Sequence, residues 1–125
     1  MKEWHLRAND IITSEAETLA HSIMARHFEV RPDLAEKYGE RQREIYLRDT
    51  KHNLEALAAS VLLLAPETFA DYMAWVKSLL EARNIPTAGL PLHVECMAHV
   101  LQEALPEEVW EKTREYVEAG LPSLK

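Results

Sequence analysis

An all-α fold is predicted by three features of this sequence. Apolar residues recur at spacings of three and four, the repeat of one helix face. Strand-like alternation never lasts beyond a few residues. The three glycines (Gly39, Gly89, Gly120) and six prolines (Pro32, Pro66, Pro86, Pro91, Pro106, Pro122) all lie between apolar patterns, where helices begin and end. The expected architecture is one domain of five to six helices over residues 1–125, globin-like or an antiparallel bundle, around one long central helix. Residues 1–9 carry no pattern and are expected to form a flexible N-terminal segment.

The first helix is expected from about Asp10 to Val30, with Ile12, Ala16, Leu19, Ile23 and Val30 as its stripe. A short turn from Asp33 to Tyr38 follows, with Asp33 placed to cap it and Gly39 to end it. The long helix runs from Glu40 to about Leu64, ~38 Å if straight. Leu47, Thr50, Leu54, Leu57, Val61 and Leu64 make its buried stripe. Pro66 opens the next helix, with Glu67 favourably placed against the helix dipole. Its apolar face is Phe69, Tyr72, Met73, Val76, Leu79 and Leu80, with Trp75 on the flank. After the loop Asn84 to Gly89, a helix from Leu90 to Leu105 turns Leu90, Val94, Met97 and Leu101 inward. The last helix opens at Pro106 and turns Val109, Trp110, Thr113, Tyr116 and Val117 inward. Gly120 and Pro122 close it.

A chain of 125 residues buries roughly two-thirds of its unfolded surface, enough for a core without metals or disulfides. The formal charge of −7 argues against direct nucleic-acid binding, which needs clustered Lys and Arg, and against an anionic membrane surface. No apolar run approaches the ~18 residues of a transmembrane helix, and no signal-peptide pattern is visible in residues 1–10. The lone Cys96 excludes an intrachain disulfide and fits a reducing compartment, so a cytoplasmic location is expected.

The six histidines do not have metal-ligand spacing. His21 and His27 are six apart, as are His93 and His99, so each pair lies on different faces of a helix. His52 and Glu55 have the right spacing, but no second copy exists. No metal site is therefore expected. Cys96 lies three residues from both His93 and His99, yet nothing supplies an oxyanion site or a third partner, so a buried inert thiol is expected. Three isolated glycines cannot form a phosphate loop. No acid–base pair or nucleophile can be assembled, and the chain is not expected to be an enzyme.

One grouping stands out. Tyr46, Asp49 and Asn53 fall on one shoulder of the long helix, with Thr50 and Ser60 nearby and apolar residues beyond them. A buried carboxylate and amide need partners. The bland reading is a structural network that ties the long helix to a neighbour. The functional reading is the wall of a small-ligand pocket or a polar patch at a subunit seam. His52 on the same helix, and His93 on the apolar side of a later one, join the candidate ligand-binding set. His93, with His27 or His52 opposite, also frames the alternative of a haem-like tetrapyrrole or metal site.

The stretch from about Arg31 to Leu121 also carries a familiar pattern. Its parts are RPDLAEKYGERQREIYLRDTKHNLEALAAS, PETFADYMAWVKSLLEARNIP and EALPEEVWEKTREYVEAGL. Tyr38-Gly39, Asp49 ahead of a His-containing helix, the Phe-Ala-Asp-Tyr run at 69 to 72 and Ala-Arg-x-Ile-Pro at 82 to 86 are its marks. It resembles helical domains of bacterial sensory and regulatory proteins, some joined to cobalamin-binding or other signalling modules. Two departures stand out. His52 and Asn53 occupy places where the pattern has an aromatic and then a histidine, and no Asp-x-His-x-x-Gly motif is present to hold cobalamin. The resemblance implies a sensor or dimerisation module. The expected function is thus a non-enzymatic sensory or regulatory domain that forms a homodimer and senses a small molecule, with Trp75, Trp110 and Leu62 as interface material.

Overall fold

The computed structural model describes residues 3–125, and every regular element among them is helical. In chain order these are α1 (Trp4–Ser14), α2 (Ala16–Val30), α3 (Pro32–Lys37), α4 (Glu40–Leu62), α5 (Pro66–Ala82), α6 (Leu90–Ala104), α7 (Glu107–Glu118) and a 3-10 turn at Pro122–Leu124. Seven α-helices replace the expected five to six chiefly because the first expected helix is two. No Gly or Pro marks the break at Glu15 (φ −109°, ψ 16°). Instead the Thr13 hydroxyl donates to the Asn9 carbonyl (2.7 Å), and that of Ser14 to the Ile11 carbonyl (3.4 Å). Such back-bonding bends helices. The bend lets α1 lie on α4 and α7 while α2 lies on α4 and α6.

The expected flexible segment is also corrected. From Trp4 onward it is helix, with Ala8 fully buried and the Trp4 indole tilted against Tyr116 at 5.6 Å. Residues 1 and 2 lie outside the described residues. Val30, expected in the stripe of the first helix, is 43% exposed at the end of α2.

The long central helix is present and unbroken, two residues shorter than expected at its C-terminus. It is packed by α1, α2, α5 and α7, whereas α6 packs on α2 and α7. Leu54, Leu57 and Val61 of α4 meet Ile12, Ile23, Phe69, Met73, Met97, Leu101, Val109 and Val117 in a single core, all of them fully buried.

The helix ends differ from expectation at Asp33, which is not the N-cap of α3, at Gly39, and at Leu64, which lies 53% exposed beyond α4 instead of in its buried stripe. Gly39 (φ −83°) does not close α3 in a left-handed turn; it precedes α4, and its N–H donates to Gln42 Oε1 at 3.0 Å. Arg43 instead closes α3, donating to the carbonyls of Ala35 (2.6 Å) and Tyr38 (3.2 Å). Asp33 sits in the first turn of α3 and takes both nitrogens of Arg31 (2.9 and 2.7 Å). The left-handed positions fall on Leu64 (φ 56°) and Asn84 (φ 59°). Each follows a helix and completes a paired C-terminal motif. After α4, the N–H of Ala65 bonds the Ser60 carbonyl and that of Leu64 bonds Val61. After α5, the N–H of Ile85 bonds Leu80 and that of Asn84 bonds Glu81. No helix among the described residues is long and apolar enough to cross a membrane.

Candidate functional site

Four helices bring five polar side chains into one continuous hydrogen-bonded chain. The last turn of α2 supplies His27, α4 supplies Tyr46 and Asn53, α5 supplies Tyr72, and the first turn of α6 supplies His93. His27 Nδ1 is 2.8 Å from the Tyr46 hydroxyl, which is 2.9 Å from His93 Nδ1. His93 Nε2 is 3.0 Å from Asn53 Nδ2, and Asn53 Oδ1 accepts from the Tyr72 hydroxyl at 2.9 Å. His27, His93 and Asn53 are buried, at 5–6% exposure. Tyr46 and Tyr72 are half-buried. The chain therefore starts in the interior between α2 and α6 and ends near the surface, where the Tyr72 ring meets Trp75 at 6.0 Å. It also joins α6 to α4 through side chains.

The donor sequence assigns the protons. Asn53 Nδ2 can only donate, so His93 Nε2 accepts and His93 carries its hydrogen on Nδ1. That hydrogen goes to the Tyr46 oxygen. Tyr46 then donates to His27 Nδ1. Every donor points the same way, from Tyr72 towards His27, and both imidazoles are neutral.

Electrostatics favour that neutral state. Burial, and then the neighbouring His27, push the His93 imidazole down to about 4. Burial, and then Arg31, push His27 below its ordinary value. Burial raises the Tyr46 phenol, as it does Tyr72, on which the charges of Asp49 and Glu55 also bear. Burial likewise raises the Cys96 thiol, which is free and buried in the core. The sign of the pH dependence follows. The folded values of both imidazoles lie below their unfolded ones, so the unfolded chain binds more protons in acid. Their contribution is fully present above about pH 6.5 and is lost as pH falls towards 4. Urea unfolding at about pH 7 and about pH 4.5 is expected to differ by roughly 2–3 kcal/mol, and His93→Gln is expected to flatten that difference.

The structure brings together Tyr46, Asn53 and His93 of the candidate set and leaves out the other two. Asp49 was expected to be buried beside Tyr46; its side chain is 55% exposed and lies 3.4 Å from its neighbour Arg48. Asp49 is rotated roughly 40° beyond Asn53 on the helix, and the packing face ends between them. His52 is exposed on the outer face of α4. Thr50 and Ser60 are buried but satisfied locally, by the carbonyls of Tyr46 (2.7 Å) and Leu57 (3.0 Å). Trp110 is also corrected, being 7% exposed and part of the core rather than interface material. The sequence reading missed Tyr72 as a hydrogen-bonding member, and His27 outside the alternative of a tetrapyrrole or metal site. The signal for His27 was there: it continues the Leu19–Ile23 stripe at a spacing of four.

Both Nδ1 atoms of the imidazole pair face the phenol oxygen of Tyr46, and His93 Nε2 is taken by the Asn53 amide. No group of three or more His, Cys, Asp or Glu among the described residues is placed to hold a metal ion. Two open surface grooves flank α6. One of about 310 Å3 lies against α7, beside Trp110 and Arg114, and one of about 410 Å3 lies against α2, beside Ser22 and Arg26. None of Tyr46, Asp49, His52, Asn53 and His93 lines either groove. No family model matches the chain, and no curated protein matches it.

Proposed function

We propose that this chain is a non-enzymatic sensory or regulatory helical domain, cytoplasmic, that acts as a homodimer. The observation that carries this reading is the position of Trp75. It is 57% exposed on the flank of α5, and its ring touches Tyr72, the outer end of the buried polar chain. An occupied surface at Trp75 is thus one side chain away from a hydrogen-bonded array that spans α2, α4, α5 and α6. The apolar arc of α5 is wider than its core contact. Phe69 and Met73 are buried, while Tyr72, Leu79 and Trp75 extend the arc towards solvent, and Ile85 beyond the helix is 44% exposed. Aromatic residues are enriched in the centres of protein interfaces. The packing of four helices on α4 supports a globin-like arrangement, and the resemblance of residues 31–121 to bacterial regulatory domains supports the regulatory role.

Sedimentation velocity at micromolar concentration tests the reading. The wild-type chain is expected to sediment as a dimer of its 14.4 kDa subunit, and Trp75→Glu as a folded monomer. A wild type that stays monomeric at high concentration sinks the self-association. A Trp75→Glu variant that stays dimeric moves the interface off α5.

A further inference from the structure

The proton arrangement of the His27–Tyr46–His93–Asn53–Tyr72 chain has a strict consequence for an added proton. In the neutral chain the lone pairs at His93 Nε2 and His27 Nδ1 are both engaged. If the proton binds His93 Nε2, that nitrogen becomes a donor facing the Asn53 amide nitrogen. The Asn53 amide must then turn over to present Oδ1. If it binds His27 Nδ1, the Tyr46 oxygen must accept, and the Tyr46 hydrogen must turn to His93 Nδ1. His93 then carries its own hydrogen on Nε2, and Asn53 must again present Oδ1. The two cationic forms interconvert when His93 Nδ1–H passes its proton to the Tyr46 oxygen as Tyr46 passes its own to His27. One proton is gained from solvent and no heavy-atom bond is made or broken. In either form the turned amide donates to the Tyr72 oxygen, so the Tyr72 hydrogen loses its acceptor Asn53 Oδ1 and must point elsewhere.

We propose that the His27–Tyr46–His93 triad is a receptor for a single proton, and that rotation of the Asn53 amide transmits its occupancy to the surface at Tyr72 and Trp75. This rests on the sensory reading above and deepens it by naming the proton as the ligand. The groups that face the chain fit such a role. From the junction of α2 and α3, Arg31 bears on His27, and from α2 Arg26 bears on Cys96 of α6. From α6, Cys96 bears on Tyr46, as does Tyr38 from the segment before α4. Glu95 on the outer side of α6 bears on Cys96. On α4, Asp49 and Glu55 bear on Tyr72 of α5. Among these only the two imidazoles gain a charge by binding a proton inside the chain. Released from Asn53, the half-buried Tyr72 hydroxyl turns its hydrogen towards the solvent side, where the charges of Asp49 and Glu55 bear on it.

The test is a titration of the full chain from about pH 7.5 to about pH 4, followed by nitrogen NMR of the imidazoles and side-chain amides and by Trp75 fluorescence. His27 and His93 are expected to titrate with one shared midpoint. The Asn53 amide resonances and the Trp75 emission should move at that same midpoint. Asn53→Asp is expected to raise the midpoint by about one pH unit or more, because a carboxylate can only accept and so favours the protonated ring. Tyr46→Phe is expected to split the shared midpoint into two independent ones, which keeps the proposal testable if Asn53→Asp does not fold. An Asn53 amide that does not move while the imidazoles titrate overturns it, as does loss of helical circular dichroism in the same step. Sedimentation over the same range reports self-association separately. A monomer that shows the shared titration removes the dimer and leaves the proton receptor. A dimer without that titration does the reverse.

Discussion

Replacing Asn53 by Leu is expected to lower the stability of the fold by about 2–4 kcal/mol, while Asp49→Ala is expected to change it by no more than ~0.5 kcal/mol. The two residues lie one turn apart on the same helix, so the contrast isolates burial. Asn53 is 6% exposed and serves two partners at once: its amide donates to His93 Nε2 at 3.0 Å, and its carbonyl accepts from Tyr72 at 2.9 Å. Leucine is close in size but supplies neither bond. His93 Nε2 would be left without a donor, a stranded buried group that costs about 1–3 kcal/mol, and the half-buried Tyr72 hydroxyl would lose its acceptor, a net bond of about 1 kcal/mol. The chain transmits the loss, since His93 and Tyr46 share their remaining bonds. The Asp49 side chain is exposed and pairs with Arg48 at 3.4 Å. Surface pairs of that kind contribute little. Urea unfolding of both variants at about pH 7 measures the difference. Equal losses would mean that the buried chain adds nothing beyond ordinary helix packing.

Gly120→Val is expected to destabilise the fold by roughly 3 kcal/mol. Gly120 is buried where the chain turns from α7 into the terminal 3-10 turn. A β-carbon there would stand 2.7 Å from Phe69 Cε2, 3.0 Å from Cδ2 and 3.2 Å from Met73 Cγ. Both neighbours are fully buried, and a phenyl ring enclosed by α4, α5 and α7 cannot swing aside without moving a helix. Gly120→Ala carries the same first contact and is expected to lose about 2 kcal/mol. The cause is space rather than backbone conformation, because no glycine here has a positive φ. A smaller residue at position 69 should therefore restore part of the loss. In a double-mutant cycle, Phe69→Leu with Gly120→Val is expected to show a coupling of about 1–2 kcal/mol. Thermal melts that give additive losses would place the clash elsewhere.

The sequence by itself determined the helical class, the long α4, the boundaries set by Pro66 and Gly89, and most of the core. Those features are local: the 3.6-residue repeat of Leu54, Leu57 and Val61 needs only the neighbouring turns to be read. Local rules also singled out Tyr46 and Asn53, because polar side chains on the shoulder of a buried stripe must find partners. They could not say which partners. Whether Asp49 is buried depends on where the neighbouring helices end their cover of α4, and that edge is set by side chains far away in the chain. The break at Glu15 was hidden for the same reason, since α1 and α2 are good continuous helix until each must lie along a different pair of neighbours. His27, His93 and Tyr72 lie on three helices with no shared spacing in the chain. Only the packing of α2, α5 and α6 around α4 brings their polar atoms within 3 Å of one another's partners. Helices are written in short-range periodicity, whereas a buried polar chain is written in the distances between helices, which tertiary packing alone decides.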